Sequence, residues 1–200
     1  MTQQRGFTLI ELMTTLVIAV LLVTIAIPSF RDIFIRNRLT LYANEFIAAI
    51  HYARSESVKR GQSVILCKSS SGTGCTTSGS QWENGWIAFV DTNANGSLDT
   101  DETLLRVWPA LPSPYTLRPN NNFTNFVRYD TSGAATNLGT FAVCYDSNEK
   151  RSKAIVITRL RPRLGADKFD KDCKPEPDDI PEKDSGPCAN GTNIGSCENP

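Results

Sequence analysis

The chain has 200 residues, with 21 basic and 21 acidic side chains, and so no net formal charge at neutral pH. This length allows one globular domain with an anchor and a tail, and zero net charge excludes a global field that would select nucleic acid or lipid. A single histidine, with no Gly-x-Ser-x-Gly elbow and no phosphate-cradling glycine loop, gives catalysis little support. We therefore expect a structural or binding protein rather than an enzyme.

An apolar run over residues 7–27 dominates the amino-terminal end and carries one charge, Glu11. The run is long enough to cross a bilayer, so the sequence predicts a transmembrane or filament-core helix over residues 7–30. A carboxylate at the centre of a membrane helix costs about 2.5–3.5 kcal/mol, so Glu11 is expected to have a function and a partner. A Sec-type signal peptide would instead have a shorter apolar core and a small-residue cleavage site.

The string Gly-Phe-Thr-Leu-Ile-Glu-Leu-Met, residues 6–13, resembles the processing site of type IV pilins and type II secretion pseudopilins. The resemblance implies that residues 1–6 are a leader, that a prepilin peptidase cuts between Gly6 and Phe7, and that the amino group of Phe7 is then methylated. It also implies that Glu11 neutralises the Phe7 amine of a neighbouring subunit during assembly. The implied location is the bacterial inner membrane, single-pass with a periplasmic carboxy-terminal domain, and afterwards a pilus or pseudopilus.

A one-sided helical pattern follows over residues 31–60 and stops at Gly61. Pro28, between the two helical halves, is expected to bend the helix or to melt it locally. The apolar face of the second half recurs at steps of three and four residues and consists of Leu39, Ala43, Phe46, Ile50, Ala53 and Ser57.

Beyond Gly61 the apolar period changes to two, which is typical of strands. Six strands are predicted, over residues 63–68, 85–90, 103–108, 124–129, 140–145 and 153–160. No long helical pattern separates them, so antiparallel hairpins are favoured. The predicted fold is α+β and type IV pilin-like, a ladle whose long amino-terminal helix, half transmembrane and half amphipathic, packs on an antiparallel β-sheet domain over residues 61–165.

Further motifs resemble the GspH/FimT branch of minor pilins and pseudopilins, and the resemblance covers about residues 1–165. It implies a structural subunit, at or near the tip of a type IV pilus or a type II secretion pseudopilus, with other pilins as partners. The alternative is a FimT-like minor pilin that captures DNA for uptake. The motifs are Asn37-Arg38-Leu39, Ala53-Arg54-Ser55-Glu56, Lys59-Arg60-Gly61, Val64-Ile65-Leu66-Cys67, Trp82 with Gly85-Trp86-Ile87, Phe89-Val90-Asp91-Thr92-Asn93 and Gly139-Thr140-Phe141.

A run of oxygen-bearing side chains over residues 91–102 has the spacing of a calcium loop, with glycine at its sixth position. The candidate ligands are Asp91, Asn93, Asn95, Asp99 and Glu102. EF-hand loops lie between helices, however, whereas this run joins two predicted strands, and Asn, Gly and Asp are also favoured in hairpin turns. A plain turn and a calcium site therefore both remain open, and no other cofactor is expected.

A basic cluster over residues 150–163 holds six positive charges and no acid. In it, Arg159, Arg161 and Arg163 alternate, so on an extended segment all three would point to one side and could contact a DNA backbone. FimT-like pilins that bind DNA have a Gly-Arg-x-Arg motif near this place, but here Leu160 stands where glycine is expected. The alternative is a solvated strand end whose arginines are partly neutralised by the acidic segment that follows.

Residues 166–200 form an acidic tail, rich in Pro and Gly, that contains nine acids and four lysines, and we expect disorder or a disulfide-tied loop there. Six cysteines beside an export segment indicate an oxidising compartment and disulfides. Short spacings favour the pairs Cys67–Cys75 and Cys188–Cys197. Cys144 and Cys173 would then be paired by elimination.

Overall fold

The computed structural model describes residues 6–79, 81–119, 123, 125–146, 148–159 and 162–164, without the side chains of 25, 26, 28, 29 and 148–150. The chain divides into two compact units, Met1–Arg38 and Leu39–Pro200. Helix α1, Leu9–Arg60, contributes to both units.

In the first unit, α1 begins directly after Thr8, which acts as the amino-terminal cap. The Oγ1 atom of Thr8 accepts a hydrogen bond of 3.3 Å from the backbone N–H of Glu11, and Thr-x-x-Glu is the sequence of a capping box. The helix continues without a break through Pro28, so the local melting predicted at that residue is wrong. Proline removes only one helical hydrogen bond, and the turns on either side keep theirs.

Three threonines lie within the apolar run of α1 in this unit. Each hydroxyl donates to the carbonyl three residues earlier: Thr14 to Glu11 at 3.0 Å, Thr15 to Leu12 at 2.9 Å, and Thr24 to Leu21 at 2.8 Å. The hydroxyls are therefore satisfied within the helix itself. Judged on the residues that the structure describes, no helix is long and apolar enough to cross a membrane.

In the second unit, the carboxy-terminal part of α1 packs on two antiparallel sheets rather than on one. All six residues of the predicted apolar face are buried, which confirms that face. The first sheet has the strand order β3-β2-β1-β5 and the second β4-β6-β7-β8. The strands are β1 Val64–Lys68, β2 Trp86–Val90, β3 Leu104–Trp108, β4 Tyr115–Pro119, β5 Phe126–Tyr129, β6 Gly139–Tyr145, β7 Asn148–Ile157 and β8 Pro162–Leu164.

Phe46 of α1 lies at the centre of the core, where the two sheets meet the helix. Its fully buried ring contacts Trp86 on β2 at 5.2 Å, Phe141 on β6 at 4.7 Å, and Trp82 at 5.7 Å between ring centroids. Such edge-to-face and tilted contacts each add about 0.5–1.5 kcal/mol beyond the area that they bury. One helical side chain therefore joins both sheets.

A 3₁₀ helix, Trp82–Asn84, leads into β2 and connects it to the second sheet. Glu83 forms a largely buried ion pair of 2.8 Å with Arg118 on β4, and its carboxylate also accepts the backbone N–H of Leu117 at 3.3 Å. Burial raises the pKa of Glu83, and the charge of Arg118 acts in the opposite direction. The pair therefore fixes β4 to the segment that begins the first sheet.

Candidate functional site

The segment that resembles a prepilin processing site is exposed, and it is not helical at the Gly6–Phe7 peptide bond. Gly6 and Phe7 precede the capping residue Thr8, and Phe7 has 83% of its surface exposed. The Gly6–Phe7 peptide bond is therefore accessible from the solvent. Residues 1–5 of the predicted leader lie outside the described residues.

Glu11 occupies the first turn of α1, where a negative charge is favoured by the helix dipole. Its side chain is exposed, and its backbone N–H is the group that Thr8 caps. In the described part of the chain, the hydrogen bonds of Glu11 leave its carboxylate without a donor. The carboxylate therefore faces the solvent, two residues after Leu9, the first residue of α1.

The candidate calcium loop joins β2 to β3 and is closed by its own hydrogen bonds. The side-chain amides of Asn93 and Asn95 both donate to Asp99 Oδ2, at 2.8 and 2.6 Å. Glu102 accepts the backbone N–H groups of Thr92 and Asp99, at 2.8 and 3.2 Å. These acids are therefore already occupied by donors from the loop.

Arg128 on β5 contributes a cation to this loop that the sequence pattern did not indicate. Its Nη2 atom lies 2.7 Å from Asp91 Oδ2 and 3.0 Å from the carbonyl oxygen of Ala94. The side chain of Asp91 is fully buried, while that of Arg128 is 22% exposed. The guanidinium therefore neutralises the first of the predicted calcium ligands.

The loop also has a packing role on the outer face of the first sheet. Leu98 and Phe126 pack against the buried cluster formed by Ile65, Cys67, Ile87 and Phe89. Among the described residues, no group of three or more His, Cys, Asp or Glu side chains is placed to hold a metal ion. The geometry favours the hairpin turn, and calcium binding stays a prediction.

The arginines predicted to contact DNA do not share one extended strand. Arg159 is exposed in the turn after β7, and Arg163 is exposed on β8, opposite Val156. Because the chain reverses between them, the predicted one-sided alternation is wrong for these two residues, and Pro162 begins the returning strand. Arg161 lies outside the described residues.

The first predicted disulfide is confirmed, since Cys67 and Cys75 are bonded with a Cα–Cα distance of 5.7 Å. Cys144 on β6 is also disulfide-bonded. Cys173, Cys188 and Cys197 lie outside the described residues, so the pairings predicted for them stay predictions.

Two family models match the chain. The model for type II transport protein GspH matches residues 42–160, and the prokaryotic N-terminal methylation motif matches residues 1–27. The chain belongs to the GspH family. The GspH model covers the carboxy-terminal part of α1 and strands β1 to β7, and the methylation motif covers the segment around Gly6, Phe7 and Glu11.

The chain is also similar to known proteins of Pseudomonas aeruginosa. Two fimbrial proteins of Pseudomonas aeruginosa are each 35% identical over 65 residues, which is 32% of this chain and 42% of the relative. The chain thus spans less than half the length of the curated relatives it matches. The crystal structure of the type IV minor pilin FimU of Pseudomonas aeruginosa (strain PAO1) matches with a TM-score of 0.50 and 20% identity, over 66% of this chain and 91% of that chain.

The FimU likeness shows the fold alone, and it confirms the predicted type IV pilin-like α+β class. The GspH and methylation-motif matches confirm the resemblance to GspH/FimT-like minor pilins and pseudopilins. The family model is that of a type II transport protein, and the fold is that of a type IV minor pilin.

Proposed function

We propose that this GspH-family chain is a minor pilin or pseudopilin, cut by a prepilin peptidase and assembled through α1 into a type IV pilus or a type II secretion pseudopilus, at or near its tip. Before assembly it is held at the bacterial inner membrane with its carboxy-terminal domain in the periplasm. The observation that carries the proposal is the methylation motif at an exposed, non-helical bond directly before a capped apolar helix. Its partners are the peptidase and the apolar helices of other pilins.

Assembly through α1 depends on Glu11 in this proposal. An ionised carboxylate among apolar helices needs a positive partner, and cleavage at Gly6–Phe7 creates one, the amino group of Phe7. The outward-facing carboxylate, with no donor among the described residues, supports a partner on another subunit.

Mass spectrometry of the protein from membranes and from sheared filaments tests this proposal. We expect an amino terminus at Phe7 that carries one methyl group. Glu11→Ala should still be cut but should be missing from filaments, whereas Thr15→Ala, which removes a hydroxyl already bonded within the helix, should assemble normally. A terminus near Ala26 would establish ordinary secretion and contradict the proposal.

Pilus and secretion system share this anchor chemistry, so they are distinguished by phenotype. Deleting the gene and scoring twitching, transformation and protein secretion in the same strain separates the two. Loss of secretion alone assigns the chain to a pseudopilus, and loss of twitching or transformation alone assigns it to a pilus.

A second candidate function is the capture of extracellular DNA through Arg159, Arg161 and Arg163. It is supported by the exposure of Arg159 and Arg163 on one β-hairpin, β7–β8. Contacts to phosphates give no base preference, and a patch of this size binds in the non-specific range of about 10⁻⁴–10⁻⁶ M.

The dependence of DNA affinity on salt tests this second function. If all three arginines contact phosphates, the slope of log K against log salt should be about −2.7 on duplex DNA, from about −0.9 per contact. In the double variant Arg161→Gln/Arg163→Gln, the slope of log K against log salt should become less steep by about two units. Arg38→Gln, which removes an exposed arginine of α1 outside the hairpin, should keep the full slope. A chain that gives no band shift at low salt and high concentration would exclude DNA capture.

A further inference from the structure

Each of the two sheets ends in two edge strands, and three of these four edges are closed against further pairing. The outer side of β5 is continued by an isolated bridge between Tyr129 and Ala135. On β4, the N–H of Leu117 donates to the Glu83 carboxylate at 3.3 Å. Strand β8 has three residues and begins with Pro162, which has no N–H. Proteins close their sheet edges in these ways because an open row of backbone groups is a template for another strand.

Strand β3, residues 104–108, is the exception. Its backbone pairs with β2 on one side, and within the part of the chain that the structure describes its other side has no hydrogen-bond partner. Its sequence, Leu-Leu-Arg-Val-Trp, holds one charge and neither proline nor lysine. We call this unpaired side of residues 104–108 the open edge. It offers a row of N–H and C=O groups to an incoming extended chain.

Two apolar side chains of the open edge are presented on one face of the sheet. Leu104 is 40% exposed and Val107 is 47% exposed. They lie opposite Phe89 and Ile87, two members of the buried cluster on the outer face. The register shifts here and leaves Leu105 without an opposite residue, so two residues three positions apart share a face. An apolar side chain on an incoming strand would therefore extend the buried cluster outward.

The other face of the open edge carries an exposed cation, Arg106. Its guanidinium carbon lies 4.9 Å from the centre of the Trp108 ring and 5.6 Å from that of Tyr52. No carboxylate among the described residues forms an ion pair with it. Stacking on rings holds the guanidinium in place without neutralising its charge. Because opposite charges across two strands stabilise their pairing, the residue that faces Arg106 should be acidic.

We propose that the open edge binds an extended segment of another protein chain as an additional strand of the first sheet. The segment places apolar side chains beside Leu104 and Val107, and a carboxylate opposite Arg106. Since successive side chains of a strand alternate between the two faces, the recognised sequence is apolar, acidic, apolar. Backbone hydrogen bonds supply the affinity, and the side chains supply the selectivity. This docking involves neither Phe7 nor Glu11, so it can hold or fail independently of assembly through α1.

Binding of a synthetic probe peptide to the full chain in detergent tests the side-chain selectivity. The probe is fluorescent Thr-Val-Glu-Val-Thr, followed by anisotropy, and its counterpart has lysine in place of glutamate. We expect the wild-type chain to bind the glutamate peptide about fivefold more tightly than the lysine peptide. Arg106→Glu should reverse this preference. A reversal cannot result from misfolding, because a misfolded chain would lose affinity for both peptides.

Alternate methylation of the peptide nitrogens tests whether the contact is a strand. Every second N–H of a strand points to the neighbour with which it pairs. One peptide is methylated on its odd-numbered amides and the other on its even-numbered amides. We expect one pattern to weaken binding about tenfold, since hydrogen bonds to β3 are lost, and the other to leave it unchanged. Equal effects of the two patterns would overturn the proposal.

A charge introduced at the open edge should prevent docking, as charged side chains do on natural edge strands. We expect Val107→Lys to weaken binding of the glutamate peptide about tenfold. Leu41→Lys, the same change at a residue of α1 that is 52% exposed, should leave binding unchanged.

Three further outcomes would overturn the proposal. The first is a lack of binding at about 1 mM glutamate peptide. The second is an equal loss of binding in Val107→Lys and Leu41→Lys. The third is a wild-type chain that sediments as a dimer while Val107→Lys sediments as a monomer, because the occupant of the open edge would then be a second copy of this chain.

Discussion

The ion pair between Asp91 and Arg128 offers the sharpest test of how the β2–β3 loop is held. Removal of Arg128 by Arg128→Met leaves the fully buried Asp91 carboxylate with one remaining donor, the backbone N–H of Gly96 at 3.3 Å. Loss of one partner of a buried pair costs about 3–5 kcal/mol, and partial exposure of Arg128 reduces this to about 2–4 kcal/mol. Asp91→Asn should cost less, about 1–2 kcal/mol, because the arginine can turn to water.

Urea unfolding of the full chain in detergent measures these free energies of unfolding, and the double variant completes the cycle. With both charges removed, we expect the cost of Arg128→Met/Asp91→Asn to lie below the sum of the single costs by at least about 1 kcal/mol. Equal costs for the two single variants, or strict additivity in the double, would refute the role assigned to Arg128. Arg106→Met, an arginine that stacks on rings without an acid, is the matched control.

Three further predictions concern the same domain. Because Arg128 occupies the loop, millimolar calcium should leave the melting temperature unchanged, and a rise that Asp99→Asn abolishes would instead establish a calcium site. The double variant Cys67→Ser/Cys75→Ser should lower the free energy of unfolding by about 2–3 kcal/mol, because the disulfide closes a loop of sequence separation 8. The measurement is urea unfolding without reductant, and an unchanged unfolding midpoint would contradict this prediction. Hydrogen bonds from Ser132 and from the Ala134 backbone lower the pKa of Asp130, so Asp130 contributes to the free energy of unfolding above its ordinary pKa of 3.8, and this contribution is lost as the pH falls below that value. Asp130→Asn should therefore make the free energy of unfolding fall less steeply with pH in this range. An equally steep fall would disprove the assignment.

Local patterns in the sequence predicted the elements whose structure is determined locally. The helix face from Leu39 to Ser57 was predicted at every position, because a helical period of 3.6 imposes burial every three or four residues. Most of the predicted strands agree with the observed ones to within a few residues. The methylation motif is equally visible, since it consists of a short contiguous string around Gly6 and Glu11.

Features that depend on non-local pairing could not be predicted. Strand β4 lies in a segment with four prolines, which argue against a strand, yet it is an edge strand and tolerates Pro119 at its end. Strand β8 has three residues and is defined only by its pairing with β7. The division into two sheets also depends on pairings between strands that are not adjacent in sequence.

The candidate sites show the same division. Spacing alone identified the calcium-like loop but could not show that Arg128, 26 positions after Glu102 in the sequence, would supply its cation.

The self-bonded threonines of α1 have a consequence for how such helices align with each other. Over residues 9–24, the hydroxyls of Thr14, Thr15 and Thr24 add no unmet polar group to the described surface, so these hydroxyls do not fix the offset between two such helices by hydrogen bonding. The carboxylate of Glu11 removes this degeneracy, since every offset that leaves it without a cation is penalised. A single charge can therefore select the axial offset between such helices where their hydroxyls do not.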